Sequence, residues 1–555
     1  MLPQGGILNL MTTTCAECSA SFESTDADHD LLERVAPVFA GKKESIPLPT
    51  LCPECRWQRR LAWRNERTLY KRKCDLTGRE MFSMHPIDAP FPVYYISDWL
   101  TDRWDATSYG RVFDFSRPFF EQFKKLCDSV PHFSLFVDPA MDQNSEYTNC
   151  SSEARNCYLI TQAEKNEDCY YSRGINNCKD CCDSLRINHC ELCFECINVS
   201  HSHRCLYCQD CDNCSDCFFC TDVRGCRHCF GCHGLVQKEY HIFNQPVSRE
   251  EWTEKVRNLK LNDAVIAHMR EQSEETRLKI PQRALHVVQC ENSIGDHIQQ
   301  CKNSRFAFDS KDLEECAYCY ELLNGARFCM DFSMWGLRCE LLYECNGCGY
   351  DVYRTLFSNH CWQGITDVLY CDSCFPSVKN CFGCFGLKRS QYCILNKQHT
   401  KEEYEALVPK IIAHMRETGE WGEFFPIGCS PFAYNEALSN EFFPRSREEV
   451  RSKGWRWREE DGSKVQGGNS DVQVCIVTGK PYKIIPQERR FYERLGLPLP
   501  QKSPAQRHRE RLARKNPRRL WDRFCAKCEK SIRTSYAPER SEIVYCEECY
   551  LKAVY

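Results

Sequence analysis

The sequence has no long hydrophobic run and no excess of charge of one sign. Across its 555 residues, no segment reaches 18 consecutive apolar residues, which excludes a membrane-spanning helix. The formal net charge is only −4, so any binding of nucleic acid has to be local. The first residues lack the basic and apolar regions of a signal peptide, and Met11 is an alternative start. We therefore expect a cytoplasmic protein that does not bind membranes.

Recognisable catalytic motifs are also missing. The sequence contains no phosphate-binding loop, no dinucleotide fingerprint, no HExxH helix and no nucleophile elbow. We therefore predict that the protein is not an enzyme.

Cysteine, by contrast, is abundant, with 44 residues. In a reducing cytoplasm, cysteines serve as metal ligands, catalytic thiols or small buried hydrophobes rather than as disulfides. Four CxxC pairs lie near the ends of the chain; a spacer at 19–51 separates the first two, and a shorter one at 529–545 separates the last two. Two such turns complete a tetrahedral thiolate site, which predicts two structural Zn²⁺ sites; the alternatives are redox CxxC motifs or chance pairing. The predicted ligands are Cys15, Cys18, Cys52, Cys55, Cys525, Cys528, Cys546 and Cys549.

A basic segment follows the second CxxC pair and recurs near the other end of the chain, at a constant offset of 451. RWQRRLAWRNERTLYKRKC (56–74) aligns with RHRERLARKNPRRLWDRFC (507–525). In the second copy Ser503 and Gln506 replace two ligand cysteines, and Thr478 replaces a third. Thr77 in turn occupies the position that corresponds to Cys528. Each end of the chain therefore retains one of two metal sites.

Arginine interleaved with tryptophan and tyrosine is suited to phosphate contact and base stacking. We predict that the two basic segments are helices that bind RNA, ribosomal RNA included, or DNA. The alternative is a solvated helix whose arginines pair with local acidic residues. The predicted nucleic-acid-binding residues are Arg56, Arg59, Arg60, Arg64, Arg67, Arg72, Arg507, Arg511, Lys515, Arg518, Arg519 and Arg523.

The terminal motifs resemble known families. CAECSASF…LCPECR and CIVTGKPYKIIPQERRFYERLGLPLP resemble the probable zinc-ribbon family of small bacterial proteins. The C-terminal CAKCEKSIRTSYAPERSEIVYCEECY is similar to a second bacterial zinc-ribbon type. Most of the chain resembles large cysteine-rich zinc-ribbon proteins of metagenomic bacteria with reduced genomes, a group that brings no established activity. The resemblance implies zinc ligation by the eight cysteines above.

From Cys157 to Leu235, every third residue belongs to one row. Of its 27 positions, 16 are cysteine and none is charged. A period of three matches neither a strand nor an α-helix, and a superposed 21-residue repeat is typical of a solenoid. We predict narrow coils of about 10 residues, two to each repeat, lined by cysteine as a small buried hydrophobe. The alternatives are further zinc sites between facing cysteines, and an iron–sulfur or redox role.

Residues 290–393 repeat the pattern more loosely, with a ten-residue cadence of cysteines. The two blocks end alike, in CFGCHGLVQKEYHIFN and CFGCFGLKRSQYCILN. Each is followed by a capping-box motif, Ser248-x-x-Glu251 or Thr400-x-x-Glu403, which predicts a helix over the open end of the block.

The predicted fold is mixed and β-rich. Two narrow-coil, cysteine-lined β-solenoid blocks, each followed by a helix, lie between terminal zinc-ribbon or treble-clef-like modules. The predicted segments are a zinc ribbon with basic segment (1–75), an aromatic-rich α+β region (76–150), the two solenoids with their helices (151–282 and 283–426), a connector and linker (427–472), a degenerate ribbon with basic segment (473–524) and a C-terminal ribbon (525–555). We predict a non-catalytic, zinc-stabilised binding protein that contacts RNA or DNA. The alternatives are a protein-interaction scaffold that uses the solenoid faces, and a thiol redox or metal-handling protein.

Overall fold

The computed structural model describes residues 11–323, 325–459 and 472–554, and the chain divides into two units. Unit 1 consists of Met1–Ser134 and His286–Glu459, and unit 2 of Leu135–Leu285 and Glu460–Tyr555. Each unit therefore combines one end of the chain with the cysteine-rich block that is farther from it in sequence. Of the predicted connector and linker (427–472), residues 460–471 lie outside the described residues.

The described residues form a mixed α/β structure that is rich in strands. None of their helices has both the length and the apolar character needed to cross a membrane. The helices of unit 1 are Asp26–Val35, Pro53–Leu61, Ile96–Trp99, Phe119–Cys127, Lys401–Glu417, Ser439–Phe442 and Arg447–Ser452, with 3-10 turns at Ala106–Tyr109 and Ile427–Cys429. Those of unit 2 are Arg249–Asn258, Asp263–Leu278, Pro486–Leu495, Pro504–Arg514 and Glu547–Val554.

Both predicted capping boxes are confirmed. The amide of Glu251 donates to Ser248 Oγ at 3.1 Å, and the amide of Glu403 donates to Thr400 Oγ1 at 3.2 Å. Each side chain satisfies an amide that the first helical turn leaves without a partner. After the second block one helix follows, whereas after the first block two helices follow, separated at 259–262.

Two series of short parallel strands dominate the molecule. The first ladder, in unit 2, consists of Asn149–Arg155, Thr161–Glu167, Arg173–Asn176, Leu185–Asn188, Ile197–Ser200, Ser215–Phe218, Arg227–Phe230 and Glu239–Ile242. The second ladder, in unit 1, consists of Val287–Val288, Ile294–Gln299, Arg305–Lys311, Leu313–Glu314, Ala326–Met330, Cys339–Tyr343, Val352–Leu356, Ile365–Leu369, Lys379–Phe382 and Cys393–Ile394. An antiparallel strand ends each ladder, at Gln245–Pro246 and at Lys397–Gln398.

Three residues form the repeating element of the ladders. Cys193 is fully buried, the next residue, Phe194, bridges to Leu206 on the following strand, and Glu195 has a left-handed backbone with φ 54°. The amide of Phe194 donates to the carbonyl of Cys205 at 3.1 Å. Left-handed residues recur at every third position along the first ladder, where Asn, Asp, His and Gly are frequent because they tolerate this conformation best.

The buried row is confirmed. The cysteines from Cys205 to Cys220 are each at most 2% exposed, and they belong to one core cluster that extends from Ala154 to Cys232. Inward-pointing amides find partners in this core, since the amide of Cys214 donates to Ser202 Oγ at 3.1 Å and that of Cys232 to Cys220 Sγ at 3.5 Å. A thiol therefore suits the row because it is small, largely apolar and still accepts a hydrogen bond.

The predicted coil length is wrong. Paired residues of the first ladder lie 12 apart, as in Ile187↔Val199, not about 10. The second ladder begins with an offset of 11, at Val287↔Ile298, and reaches 13, at Cys329↔Leu342. Among the described strands no sheet closes or curls on itself, so the ladders are parallel sheets and the solenoid is not confirmed.

Candidate metal centres and arginine helices

Among the described residues, a hairpin whose turn begins with a cysteine occurs four times, each time with a helix farther along the chain, and we name these units modules A to D. The hairpins are Met11–Thr14 with Ser21–Ser24, Tyr70–Lys73 with Glu80–Ser83, Val472–Val474 with Pro481–Lys483, and Trp521–Phe524 with Ser531–Thr534. Their helices are Pro53–Leu61, Ile96–Trp99, Pro504–Arg514 and Glu547–Val554. Unit 1 contains modules A and B, and unit 2 contains modules C and D.

The four turns have one backbone arrangement. A cysteine begins each turn, and its amide donates to the carbonyl five residues later at 2.8–2.9 Å. The residue four positions after the cysteine donates back to the cysteine carbonyl, also at 2.8–2.9 Å. The cysteines are Cys15, Cys74, Cys475 and Cys525. The loss of ligands predicted for two of the four sites has therefore left the turn itself unchanged.

In module A, the turn and the helix bring four thiols together. Cys52 is the N-cap of Pro53–Leu61, and Cys55 lies in its first turn. All four sulfur atoms, including those of Cys15 and Cys18, lie within 4.8 Å of one another, and Cys18 Sγ is 3.7 Å from Cys52 Sγ. Only Cys18 is exposed. A hydrogen bond from Cys55 lowers the pKa of Cys52 to about 5, so the cluster favours a thiolate.

Module D repeats this geometry at the other end of the chain. The sulfurs of Cys525, Cys528, Cys546 and Cys549 also lie within 4.8 Å of one another. Cys528 Sγ is 3.8 Å from Cys546 Sγ. The amide of Cys546 donates to Cys525 Sγ at 3.2 Å, the counterpart of the 3.3 Å bond from Cys52 to Cys15. Both predicted ligand sets are therefore assembled, and each could hold a metal ion.

Module B has the same scaffold with different side chains. The amide of Tyr95 donates to Cys74 Sγ at 3.3 Å, so Tyr95 stands where Cys52 stands in module A. Asp98, three residues later, occupies the position of Cys55 and accepts a hydrogen bond from Thr77 Oγ1 at 3.2 Å. A side-chain network has therefore replaced the metal position.

Module C has lost its ligands in the same way. Ser503 is the N-cap of Pro504–Arg514, and its side chain accepts a hydrogen bond from the amide of Gln506 at 3.3 Å. Burial acts to raise the pKa of Cys475, but the amide of Ser503 and the hydroxyl of Thr478 lower it to about 6. Capping of the helix has replaced ligation.

Sequence reasoning identified three of the substituted positions of module C and Thr77 in module B, but it missed Tyr95 and Asp98. The signal was present, because the offset of 451 extends beyond Cys525: Val93–Tyr94 aligns with Val544–Tyr545, and the two missed residues align with Cys546 and Cys549. With only one cysteine left, module B carries no CxxC pair to draw attention to it.

The helix Pro53–Leu61, which we call the first arginine helix, is buried against the second ladder. Arg56 is ion-paired with Asp331, and Arg60 NH1 lies 3.7 Å from Glu344 Oε2. Arg59 lies 2.6 Å from Glu344. The ring of Trp57 stacks on Tyr320 with centroids 4.6 Å apart.

The helix Pro504–Arg514, the second arginine helix, makes equivalent contacts within unit 2. Arg507 Nε lies 3.1 Å from Asp183, and Arg511 NH1 lies 2.9 Å from Asp183 and 2.6 Å from Glu195. Burial acts to raise the pKa of Glu195, but Arg511, Arg270 and Arg514 lower it to about 2.

The acidic partners form matching columns on the two ladders. Asp183 and Glu195 are one 12-residue step apart, and Asp331 and Glu344 are one 13-residue step apart. All four have left-handed backbones. A tyrosine one step earlier, Tyr171 or Tyr318, lies beneath the first arginine of each helix. The two units therefore use the same Tyr–Asp–Glu column to hold an arginine helix.

These contacts correct the predicted exposure of the basic residues. Seven of the twelve predicted nucleic-acid-binding side chains are buried: Arg56, Arg59, Arg60, Arg64, Arg72, Arg507 and Arg511. The others are Arg67, Lys515, Arg518 and Arg523, which are partly exposed, and Arg519, which is exposed. Trp57 and Trp63, predicted to stack on bases, are at most 6% exposed. Binding of nucleic acid stays a prediction, but these buried groups do not face a ligand.

Comparison with models of known protein families and with curated proteins gave no match.

Proposed function

We propose that the protein is a non-catalytic scaffold in which zinc-stabilised, ribbon-like modules hold two cysteine-lined β-solenoids. The observation that carries this proposal is the internal use of its reactive and charged groups. The arginine helices are neutralised by buried carboxylates, and the four-cysteine clusters would leave no coordination position open once a metal is bound.

The sulfur geometry supports zinc. A tetrahedral site with Zn–S bonds of about 2.3 Å has S···S edges of about 3.8 Å. The separations of 3.7 Å in module A and 3.8 Å in module D agree with that value. Cys15, Cys18, Cys52 and Cys55 would hold one ion, and Cys525, Cys528, Cys546 and Cys549 the other. When bound, the ion would clamp a hairpin to a helix, and it would leave no position for substrate.

The pairing offsets support the solenoid. In the first ladder each step contains four triplets. In the step from Ile187 to Val199, one residue of each triplet belongs to a single buried cluster, and at other steps buried serine or asparagine takes some of these positions. During each step the chain would point four side chains inward, and it would then pair in parallel with the preceding step. Such a chain would complete one turn of a coil per step. The first ladder would thus be a four-sided coil whose outer faces present rows of side chains, with one side chain from each step in a row.

Rows of exposed side chains on a rigid support favour binding of a protein partner over binding of nucleic acid. We therefore place the protein-interaction scaffold ahead of the RNA- or DNA-binding protein. The test is filter binding of single-stranded RNA and duplex DNA to the full-length protein at moderate salt. We expect no retention. Tight retention that falls steeply with rising salt would favour nucleic acid instead.

Nucleic acid is the second candidate ligand, and the surface best suited to it lies at module D. Arg519, Lys527, Lys530 and Arg533 are exposed there, and Phe524 is 71% exposed. Cations beside an exposed aromatic ring are suited to a single strand. If this surface binds, charge reversal at Arg519, Lys527 and Lys530 will abolish retention, whereas Glu291→Lys on the second ladder will not.

A thiol redox role is disfavoured by burial. Burial raises the pKa of Cys208 well above its usual value, and it raises that of Cys361 to about 12. Hydrogen bonds from Cys193 and Cys178 lower the pKa of Cys205 and of Cys190, which favours thiolates, the reactive species. These sulfurs are nevertheless buried, so alkylating reagents should reach the row slowly. Rapid labelling of ladder cysteines in the folded protein would restore the redox hypothesis.

A further inference from the structure

Three histidines and a glutamate lie together on one exposed face of the first ladder. His189 and His201 occupy left-handed positions on successive steps, with φ 51° and 48°. Two residues later on the same steps, the backbones of Glu191 and His203 form a parallel β-bridge. All four side chains are exposed and belong to unit 2.

The ladder holds these residues close together. The rings of His189 and His201 stack with centroids 5.3 Å apart and planes 10° apart. Neighbouring strands of a sheet are about 4.8 Å apart, so Glu191 and His203 are brought equally near each other. The four side chains, with Ser202, line a depression of about 410 Å³.

A carboxylate orients one of the imidazoles. His201 Nδ1 lies 3.0 Å from Asp212 Oδ1, and Ser200 Oγ donates to the same oxygen at 2.6 Å. A histidine that donates from one ring nitrogen to a carboxylate presents the lone pair of the other, and this arrangement accompanies most histidine metal ligands. His201 Nε2 is therefore set as an acceptor.

We propose that His189, Glu191, His201 and His203 bind a transition-metal ion, in a site separate from both four-cysteine clusters. Three imidazoles and one carboxylate favour borderline ions such as Ni²⁺, Cu²⁺ and Zn²⁺ over the harder Mg²⁺ and Ca²⁺. Among the described residues, these four do not gather their ligand atoms within 4.8 Å of one another as the cysteine clusters do. The exposed side chains turn toward the ion on binding, while Asp212 holds His201 in place.

The test uses full-length protein whose four-cysteine clusters hold zinc and from which weakly bound zinc has been removed by dialysis. It is titrated with NiCl₂ at pH 7.5, and binding is measured by isothermal titration calorimetry. We expect one Ni²⁺ per chain in this site. The double variant His201→Ala/His203→Ala should weaken binding by at least about tenfold, and Asp212→Asn should weaken it by a smaller factor because it removes only the orienting group. Binding should also weaken in acid, because imidazole ligates a metal only in its deprotonated form.

The control variant is His268→Ala, which removes an exposed histidine from the helix Asp263–Leu278 and should leave Ni²⁺ binding unchanged. Electron paramagnetic resonance of the wild-type protein with one equivalent of Cu²⁺ gives an independent readout, because imidazole nitrogens split the copper signal. Loss of that nitrogen splitting in the double variant supports the site. Equal Ni²⁺ affinity in the wild type and the double variant, or a copper signal without nitrogen splitting, would overturn it.

Discussion

Units 1 and 2 are built from the same parts but keep different ones intact. Each has two hairpin–helix modules, one arginine helix and one parallel ladder. Unit 1 retains four cysteines in module A, the module that contains its arginine helix, whereas unit 2 retains them in module D, the module that follows it. One four-cysteine cluster per unit is therefore common to both, but its position is not. In modules B and C, which lack a four-cysteine cluster, side-chain hydrogen bonds take the place of the metal site.

The ladders differ in regularity. Every strand pairing of the first ladder has the same offset, that of Ile187↔Val199, whereas offsets in the second range from 11 to 13. An additional residue lengthens each step by about 3.3 Å. The second ladder buries Phe332 and Leu342, each at 0% exposure, whereas the core cluster of the first ladder consists of cysteine, alanine, valine and isoleucine. The two ladders thus share the triplet geometry, whereas their step lengths differ with the side chains that they bury.

The largest effect should come from removing a metal cluster. In Cys15→Ser/Cys52→Ser we expect the loss of one metal ion and local unfolding of module A, because structural zinc sites contribute about 10–16 kcal/mol to folding. In Cys525→Ser/Cys546→Ser the same should happen to module D. Native mass spectrometry gives the metal count, and hydrogen exchange identifies the unit affected. As a control, Cys74→Ser in module B should leave the count unchanged.

A metal site should be recoverable in module B. The triple variant Thr77→Cys/Tyr95→Cys/Asp98→Cys places thiols at all positions equivalent to the ligands of module A. We expect one additional Zn²⁺ per chain by mass spectrometry. The same substitutions combined with Cys74→Ser should weaken that binding. A folded triple variant with an unchanged metal count would show that modules A and B are not equivalent.

The acidic columns should matter equally in the two units. Removing Asp331 leaves two arginines of unit 1 buried with less compensation, and removing Asp183 does so in unit 2. Asp331→Ala and Asp183→Ala should each lower the free energy of unfolding of their own unit by about 3–5 kcal/mol. Urea denaturation, monitored by hydrogen exchange, measures the free energy of unfolding of each unit. The exposed control Glu291→Ala should change it by less than about 0.5 kcal/mol, and a similarly small change in either column variant would contradict the shared role.

The smallest effect should distinguish the ladder interiors. Cys205 lies in a column of cysteines at 12-residue intervals, whereas Cys329 pairs with Leu342. Cys205→Leu should cost about 1–3 kcal/mol through overpacking, and Cys329→Leu should cost less. Thermal unfolding of both variants, with Cys205→Ala and Cys329→Ala as matched controls, measures the difference. Equal costs for the two leucine variants would mean that step length does not set interior volume.

Sequence reasoning found the parts that depend on local pattern. The row of every third residue and the ligand sets follow from spacing alone, and both are present in the structure. The step length was misjudged because the 21-residue repeat equals two 12-residue steps less one triplet, so the repeat runs diagonally across the ladder. Likewise the ten-residue cadence of the second block equals a 13-residue step less one triplet.

The burial of the arginine helices could not be predicted in the same way. Their partners, such as Asp331 and Asp183, lie hundreds of residues away and look like ordinary surface acids, because they occupy the left-handed third position of a triplet. The arginines meet these carboxylates only because each unit combines one end of the chain with the ladder that is farther from it in sequence. Local charge patterns reveal cations but not the carboxylates that neutralise them.

The most direct measurement of the central account is native mass spectrometry combined with thiol alkylation of the folded, full-length protein. After weakly bound metal has been removed by dialysis, two Zn²⁺ per chain and slow alkylation of the buried ladder cysteines are the predicted result. Many metal ions per chain, or rapid alkylation of the residues from Cys205 to Cys220, would contradict it.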